Sequence, residues 1–380
     1  LNIRQSFLDG MAWIALFLGV MGLLAVIAFH FPEYLTTPAL REVYQEAQVR
    51  TLLYAGLVLA SILAPLALVF SQRKLHAAVG LVCVVLAWLA GGADVSYGYE
   101  VRDARFYISL DWVLLDLVLI ATLFINLELF FRLKKDQGIL RAGWQVDLTH
   151  YVVNHIFNGM LVYLLFFPAQ WLEARLPMAG FQSVVAGLPL LVQVFLIMLV
   201  TDLAQYWVHR AFHQVPFLWR FHRIHHSVER MDWLAGSRLH LVDVIVTRSL
   251  SLIPMVLLGF SNEAINIYLP ILALQSVFIH CNLEWEFAGL QKLITTPKYH
   301  HWHHTSDTGR LDRNFAISLP VLDIVFGTYY SPKGEWPKGY GLANDALEER
   351  YLVHLLAPFR RRDSASNEAP AGRTPRNGSP

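Results

Sequence analysis

Two cysteines in 380 residues, Cys83 and Cys281, are too few for a disulfide framework and lack the paired spacing of a zinc knuckle. Both read as small apolar fillers in or beside apolar runs. Charge is scarce as well. Charged residues make up 16% of the chain, where a soluble domain carries roughly a quarter, and a net charge of +1 offers nothing to a nucleic acid. There is no glycine-rich dinucleotide or flavin fingerprint, no haem-binding domain and no internal repeat. These absences exclude a disulfide-stapled scaffold, a thiolate–zinc module and a nucleic-acid binder.

What is abundant is apolar: 55% of residues are hydrophobic, and the mean hydropathy is +0.42. A helix rises about 1.5 Å per residue, so roughly 20 apolar residues cross a bilayer core. Eight runs approach that length: 11–31, 51–70, 75–93, 112–131, 151–168, 184–206, 241–260 and 264–281. Only Ser261-Asn262-Glu263 separates the last two, which reads as a helical hairpin. The first run is too long for a signal-peptide core and no small-x-small cleavage site comes after it, so it is expected to stay as an anchor. The pattern predicts an all-α polytopic membrane bundle of eight spans with a histidine-rich cap. With eight spans, the clusters Arg73/Lys74, Arg132 to Arg141, Arg210 to Arg238 and Arg360 to Arg362 fall on one side, which the positive-inside rule makes cytoplasmic, along with both termini. Residues 361–380 are polar, rich in Pro, Gly and Ser, and expected to be disordered.

Twelve of the sixteen histidines lie in the second half, nine of them in three clusters. "HRAFH" carries His209 and His213, "HRIHH" carries His222, His225 and His226, and "HHWHH" carries His300, His301, His303 and His304. His240 and His280 stand singly nearby. Residues at i, i+3 and i+4 share a helical face, so each box can aim two or three nitrogens at one ion. The three boxes with His240 and His280 offer more nitrogens than one ion takes, which favours two metals, and imidazole suits iron, zinc, copper and nickel. His301 points away if its neighbours share a face, toward solvent or the back of the ligands. His30, His76 and His354 read as interfacial polar residues, His150 and His155 as structural.

"TDLAQYWVHRAFH", "LWRFHRIHHS", "SRLHLVD", "FIHCNLEW", "TPKYHHWHHT" and "NFAISLPVLDIVFGTYY" occur in the order of the fatty acid hydroxylase/sterol desaturase superfamily, which residues 145–345 resemble. The resemblance implies a non-haem dimetal site, usually di-iron, that uses dioxygen to hydroxylate or desaturate a lipid. By motif position its ligands map onto His209, His213, His222, His225, His226, His240, His280, His300, His303 and His304. One departure is that many relatives have Pro and Glu after the fourth element's histidine, where this chain has Leu241, Val242 and Asp243. On this reading residues 1–144 form an added four-span module, 145–345 the catalytic domain and 346–380 a C-terminal segment. Such a reaction consumes two external electrons, so a separate donor is expected, a ferredoxin or b-type cytochrome with its reductase, for which Arg210, Arg220, Arg223 and Arg230 offer a docking face.

Metal-bound histidines usually give their second N–H to a carboxylate or carbonyl. Asp202, seven residues before His209, is the candidate orienter or proton relay, with Tyr206 between them and Asn282 beside His280. Asn314 and Asp323 read as structural. Trp207, Phe217, Trp219 and Trp233 read as an interfacial belt or a substrate route, and Asp116 as a span carboxylate in need of a partner. A zinc-dependent membrane hydrolase is one competing class. A histidine-rich metal transporter or sensor is another, but it would place its histidines along a path through the bilayer.

Overall fold

The computed structural model describes residues 3–42, 45–94, 107–176, 178–287, 289–342 and 347–360. The expected polar tail at 361–380 lies outside them. Among the described residues the protein is all-α, with two isolated bridges, Arg132 to Leu283 and Thr305 to Tyr340, in place of sheet. The chain forms two compact units, Leu1–Val118 with His155–Met160, and Leu119–Asn154 with Leu161–Pro380.

The first unit is built on three long apolar helices, α1 (Ile3–His30), α4 (Glu46–Phe70) and α5 (Lys74–Leu89), with the short α2 (Pro32–Leu35) and α3 (Pro38–Arg41) between α1 and α4. Small residues let α1 and α5 pack closely. A Cβ on Gly80 would lie 2.7 Å from the Ala15 carbonyl oxygen, and one on Gly19 only 2.5 Å from that of Gly80. In a membrane, where burial from water does not drive helices together, such backbone-close seams supply the packing. Asp116 finds its partner here, since its carboxylate lies 3.3 Å from His155 Nε2.

The other helices are α6 (Leu110–Phe131), α7 (Trp144–Glu173), α8 (Ala179–Ala186), α9 (Leu190–Gln214), α10 (Pro216–His226), α11 (Leu241–Leu258), α12 (Asn262–Phe278), α13 (Pro297–His303), α14 (Val321–Val325) and α15 (Tyr351–Leu356). Seven of the eight apolar runs coincide largely with single helices, and the sixth is divided between α8 and α9. Among the described residues, five helical stretches are long and apolar enough to cross a membrane: Leu8–His30, Ala47–Phe70, Leu110–Phe131, Leu190–Gln214 and Leu241–Leu258. Their outward faces carry large apolar side chains such as Leu52, Phe130 and Leu191, each more than 70% exposed, a surface suited to lipid rather than water.

Local signals shape the boundaries. Gly187-Leu188-Pro189 splits the sixth run into α8 and α9, and α9 then continues to Gln214, so His209 and His213 ride on the spanning helix itself. Pro216 opens α10 immediately after, at a first-turn position where its missing N–H costs nothing. Gly259, at φ +69, ends α11, and the Ser261 hydroxyl caps α12 by accepting from the Ala264 N–H, which makes the hairpin. Thr296 caps α13, again with proline at the first helical position.

Candidate metal centre

Nine imidazoles converge into two buried groups, His209, His213, His222, His226 and His303 in one, His225, His280, His300 and His304 in the other, with the ligand atoms of each group all within 4.8 Å of one another. The boxes do not map one to one onto the groups. On α10, His222 and His226, four apart, face the first group while His225 faces the second. On α13 and its C-cap, His300 and His304 face the second while His303 faces the first. The groups adjoin: the rings of His226 and His304 stack at 4.5 Å, and those of His300 and His303 at 5.2 Å.

The hydrogen bonds behind the rings fix which nitrogen points inward. The Nδ1 of His209 lies 2.8 Å from the Phe315 carbonyl, that of His303 2.8 Å from Arg313 O, that of His280 2.7 Å from Ser276 O, and that of His225 3.3 Å from Arg238 O. A carbonyl can only accept, so in each case Nδ1 carries the proton and Nε2 presents its lone pair. Two carboxylates do the same work: Asp243 accepts from His222 Nδ1 at 2.7 Å and Asp312 from His213 Nδ1 at 3.0 Å. Asp312 holds its position at φ +57, the left-handed region that aspartate tolerates better than most residues.

With the tautomers set, His209 Nε2 and His222 Nε2 face each other at 3.0 Å, and His225 Nε2 and His280 Nε2 at 3.3 Å. Neither member of either pair has a proton to give. Two lone pairs held that close repel unless a cation lies between them, and nitrogens about 2.1 Å from one ion are spaced in this way. Protonation does not relieve the second contact, because burial holds His225 well below the usual histidine range and His280 at about 4. His213, His226 and His303 each keep a buried Nε2 with no hydrogen-bond partner among the described residues. The residues therefore fit a pair of metal ions. Trp219 and Phe315 wall the first group, at 5.2 and 5.1 Å from the His213 ring.

His240 joins neither group. Its Nδ1 accepts from the Val242 N–H at the start of α11, and its Nε2 lies 3.1 Å from Leu355 O, so both ring nitrogens are engaged in capping and docking. His301 is buried rather than solvent-facing, with Nδ1 on the Tyr340 hydroxyl and Nε2 on Cys281 O. Among the described residues Asp202 hydrogen-bonds to no histidine. Its carboxylate accepts the N–H groups of Ile317, Ser318 and Leu319 at 3.0, 3.1 and 2.6 Å. Tyr206 pairs its hydroxyl with Thr328 at 2.8 Å and receives Arg210. Asn282 binds the Lys134 backbone through both side-chain atoms, and its own N–H goes to Glu128. Glu128 is buried, accepting from Trp233 N as well.

The four-arginine docking face is also reduced. Arg223 is buried and Arg210 lies over the Trp207 ring, which leaves Arg220 and Arg230 exposed. Arg141 and Arg238, expected to lie among the cytoplasmic surface charges, are buried too. Arg141 binds Asp147 and Asp232, while Arg238 binds Asp147 and Glu349. This network anchors the loop whose Arg238 carbonyl backs His225. The carboxylates at the site, Asp243 and Asp312, are hidden from a sequence reading because their partners lie 21 and 99 residues away. The available hint was an acid in the first turn after His240.

Residues 194–328, which contain all nine clustered histidines, match the fatty acid hydroxylase family. The chain is 29% identical over 174 residues to ornithine lipid hydroxylase of Rhizobium tropici, covering 46% of this chain and 52% of that one. It is 27% identical over 185 residues to alkylglycerol monooxygenase of Danio rerio, covering 46% and 40%. It is 26% identical over 203 residues to a very-long-chain aldehyde decarbonylase of Oryza sativa subsp. japonica, covering 50% and 30%. The chain thus spans about half the length of these relatives, or less. No solved structure matches it significantly. Residues 194–328 of this chain are thus similar to the fatty acid hydroxylase family.

Proposed function

We propose that this chain is a membrane-bound dimetal monooxygenase, with two iron ions, that inserts oxygen into or desaturates a C–H bond of a lipid. For hydroxylation the balance is R–H, dioxygen, two electrons and two protons giving R–OH and water. The observation that carries the reading is the pair of facing, unprotonated Nε2 contacts, His209 with His222 and His225 with His280, inside a shell of buried imidazoles. Bound iron would supply dioxygen activation. The chain's own residues hold the ions: His209, His213, His222, His226 and His303 one of them, His225, His280, His300 and His304 the other. Phe315, Arg313, Ser276 and Arg238 fix the rings through their carbonyls, and Trp219 and Phe315 keep water from the first group.

The relatives' names all point to lipid work: an ornithine lipid, an alkylglycerol, a very-long-chain aldehyde. The electrons come from a separate donor, a ferredoxin or b-type cytochrome, with Arg220 and Arg230 as the exposed basic residues left to meet it. The metal site and both termini are assigned to the cytoplasm on the charge pattern, and residues 1–144 to an N-terminal module beside a catalytic domain at 145–345.

Comparative lipid mass spectrometry tests the assignment, with cells making the wild-type chain set against cells making His225→Ala. One lipid class should gain the mass of one oxygen atom, or lose two hydrogens, with the wild type alone. Identical lipid profiles, with both proteins folded in the membrane, would refute the oxygenase reading. One zinc per chain with oxygen-independent turnover would favour a hydrolase.

A further inference from the structure

The two imidazole groups are backed unequally, and we propose that Asp243 is a positioning residue that makes the five-histidine group hold its ion more tightly than the four-histidine group. The inference rests on the dimetal reading and adds to it an order of affinity. In the first group, His222 and His213 give their Nδ1 protons to carboxylates, while His209 and His303 give theirs to carbonyls. Among the described residues no carboxylate hydrogen-bonds to a ring of the second group. His280 is backed by the Ser276 carbonyl, His225 by a longer contact to Arg238 O, and the Nδ1 atoms of His300 and His304 have no hydrogen-bond partner among the described residues.

The chemistry is one of charge. An imidazole that binds a cation through Nε2 acquires positive charge across the ring, including its Nδ1–H. A full negative charge on that hydrogen stabilises the bound form more than a carbonyl dipole does, and a ring with no acceptor gains nothing. Losing such a partner typically costs about 10–100-fold in metal affinity. Asp243 is well placed for the role. It is buried, at 3% exposure, so solvent screens it little. It sits in the first turn of α11, where the helix dipole favours a carboxylate. Its second oxygen is held by the Thr247 hydroxyl at 3.1 Å, which fixes the angle at which His222 is met. Asp312 is the weaker backing, because it is 39% exposed and its charge is shared with water.

The experiment uses full-length protein in nanodiscs, loaded anaerobically with ferrous iron and then challenged with a chelator while bound metal per chain is tracked. Wild type should hold two ions and release them in two phases. Asp243→Asn keeps the shape and one acceptor but removes the charge, and Asp243→Ala removes both. Each should speed the slow phase, by at least about tenfold for the alanine variant, and leave the fast phase unchanged. Asp243→Glu should restore much of the slow phase. Melting temperatures of the chelated proteins report folding separately, and the near-isosteric Asn variant answers the question if Ala misfolds. Release rates like those of wild type in both variants, or equal acceleration of both phases, would overturn the proposal. Wild-type protein unable to hold two ions would instead bring down the dimetal reading itself.

Discussion

Asp202 on α9 and Asp323 on α14 hold one stretch of backbone between them: Asp323 accepts the N–H groups of Phe315 and Ala316, and Asp202 those of Ile317, Ser318 and Leu319. The carbonyl of Phe315, in that same stretch, receives His209. Asp202 therefore reaches the site through the loop it clamps. Asp202→Ala strands three buried N–H groups, each worth about 1–3 kcal/mol when unsatisfied. A loss of roughly 3 kcal/mol or more in unfolding free energy is expected, together with reduced metal content. Asp202→Asn, with one acceptor oxygen left, should fall in between. A stable, fully metallated alanine variant would refute the clamp.

Single histidine removals should sort by group. His226→Ala and His304→Ala are each expected to lower bound metal from about two ions per chain toward one, whereas the pair together should leave almost none. His240→Asn is the contrast. Asparagine is a good N-cap, so this variant should keep both ions and fold normally. Metal analysis of purified protein decides each case.

Acid should weaken the fold and the metal site in the same window. Burial keeps His225, His226, His300, His303 and His304 well below the ordinary histidine value of 6.5, and holds His354 at about 4. In the unfolded chain these rings take up protons as pH falls through 6.5, while in the folded chain they stay neutral. The unfolded state then binds more protons, so stability drops as pH falls below that value. Protons also compete with metal for the same nitrogens. Melting curves and metal retention should be flat above about pH 7.5 and decline together toward about pH 5.5; melting temperatures unchanged across that interval would contradict the buried neutral imidazoles.

Gly80→Val should disrupt the first unit, since its Cβ would meet the Ala15 carbonyl at 2.7 Å, backbone that cannot swing aside. Overpacking of this kind costs about 1–3 kcal/mol. Thermal melting in nanodiscs would show it, and an unshifted transition would contradict the close seam.

The helices and the three boxes are legible in the sequence because both rest on local spacing: run length for the helices, i, i+3 and i+4 for the histidines. The features that are not legible depend on distant chain. Asp202 reads as an orienter because it lies seven residues before His209 on one face, yet two turns span about 10 Å along a helix, too far for a hydrogen bond. Asp243 and Asp312, which do orient histidines, come from α11 and a loop. His240 looks like a ligand by its place in the motif order, but that place is also the N-cap of α11, and the cap uses its Nδ1. Arg141 looks destined for the membrane surface until folding brings near the carboxylates that face it.

His225 and His226 are neighbours in the chain yet face different imidazole groups, and so do His303 and His304. The distance between the two groups is thus gauged by single peptide units on two short segments. Neither group can be shifted along these segments without moving the other. One residue inserted between His222 and His226 would turn the remainder of the helix by about 100° and hand the displaced rings to the wrong pocket or to neither. The separation of the two groups is in this sense a single property of the chain, set once for both.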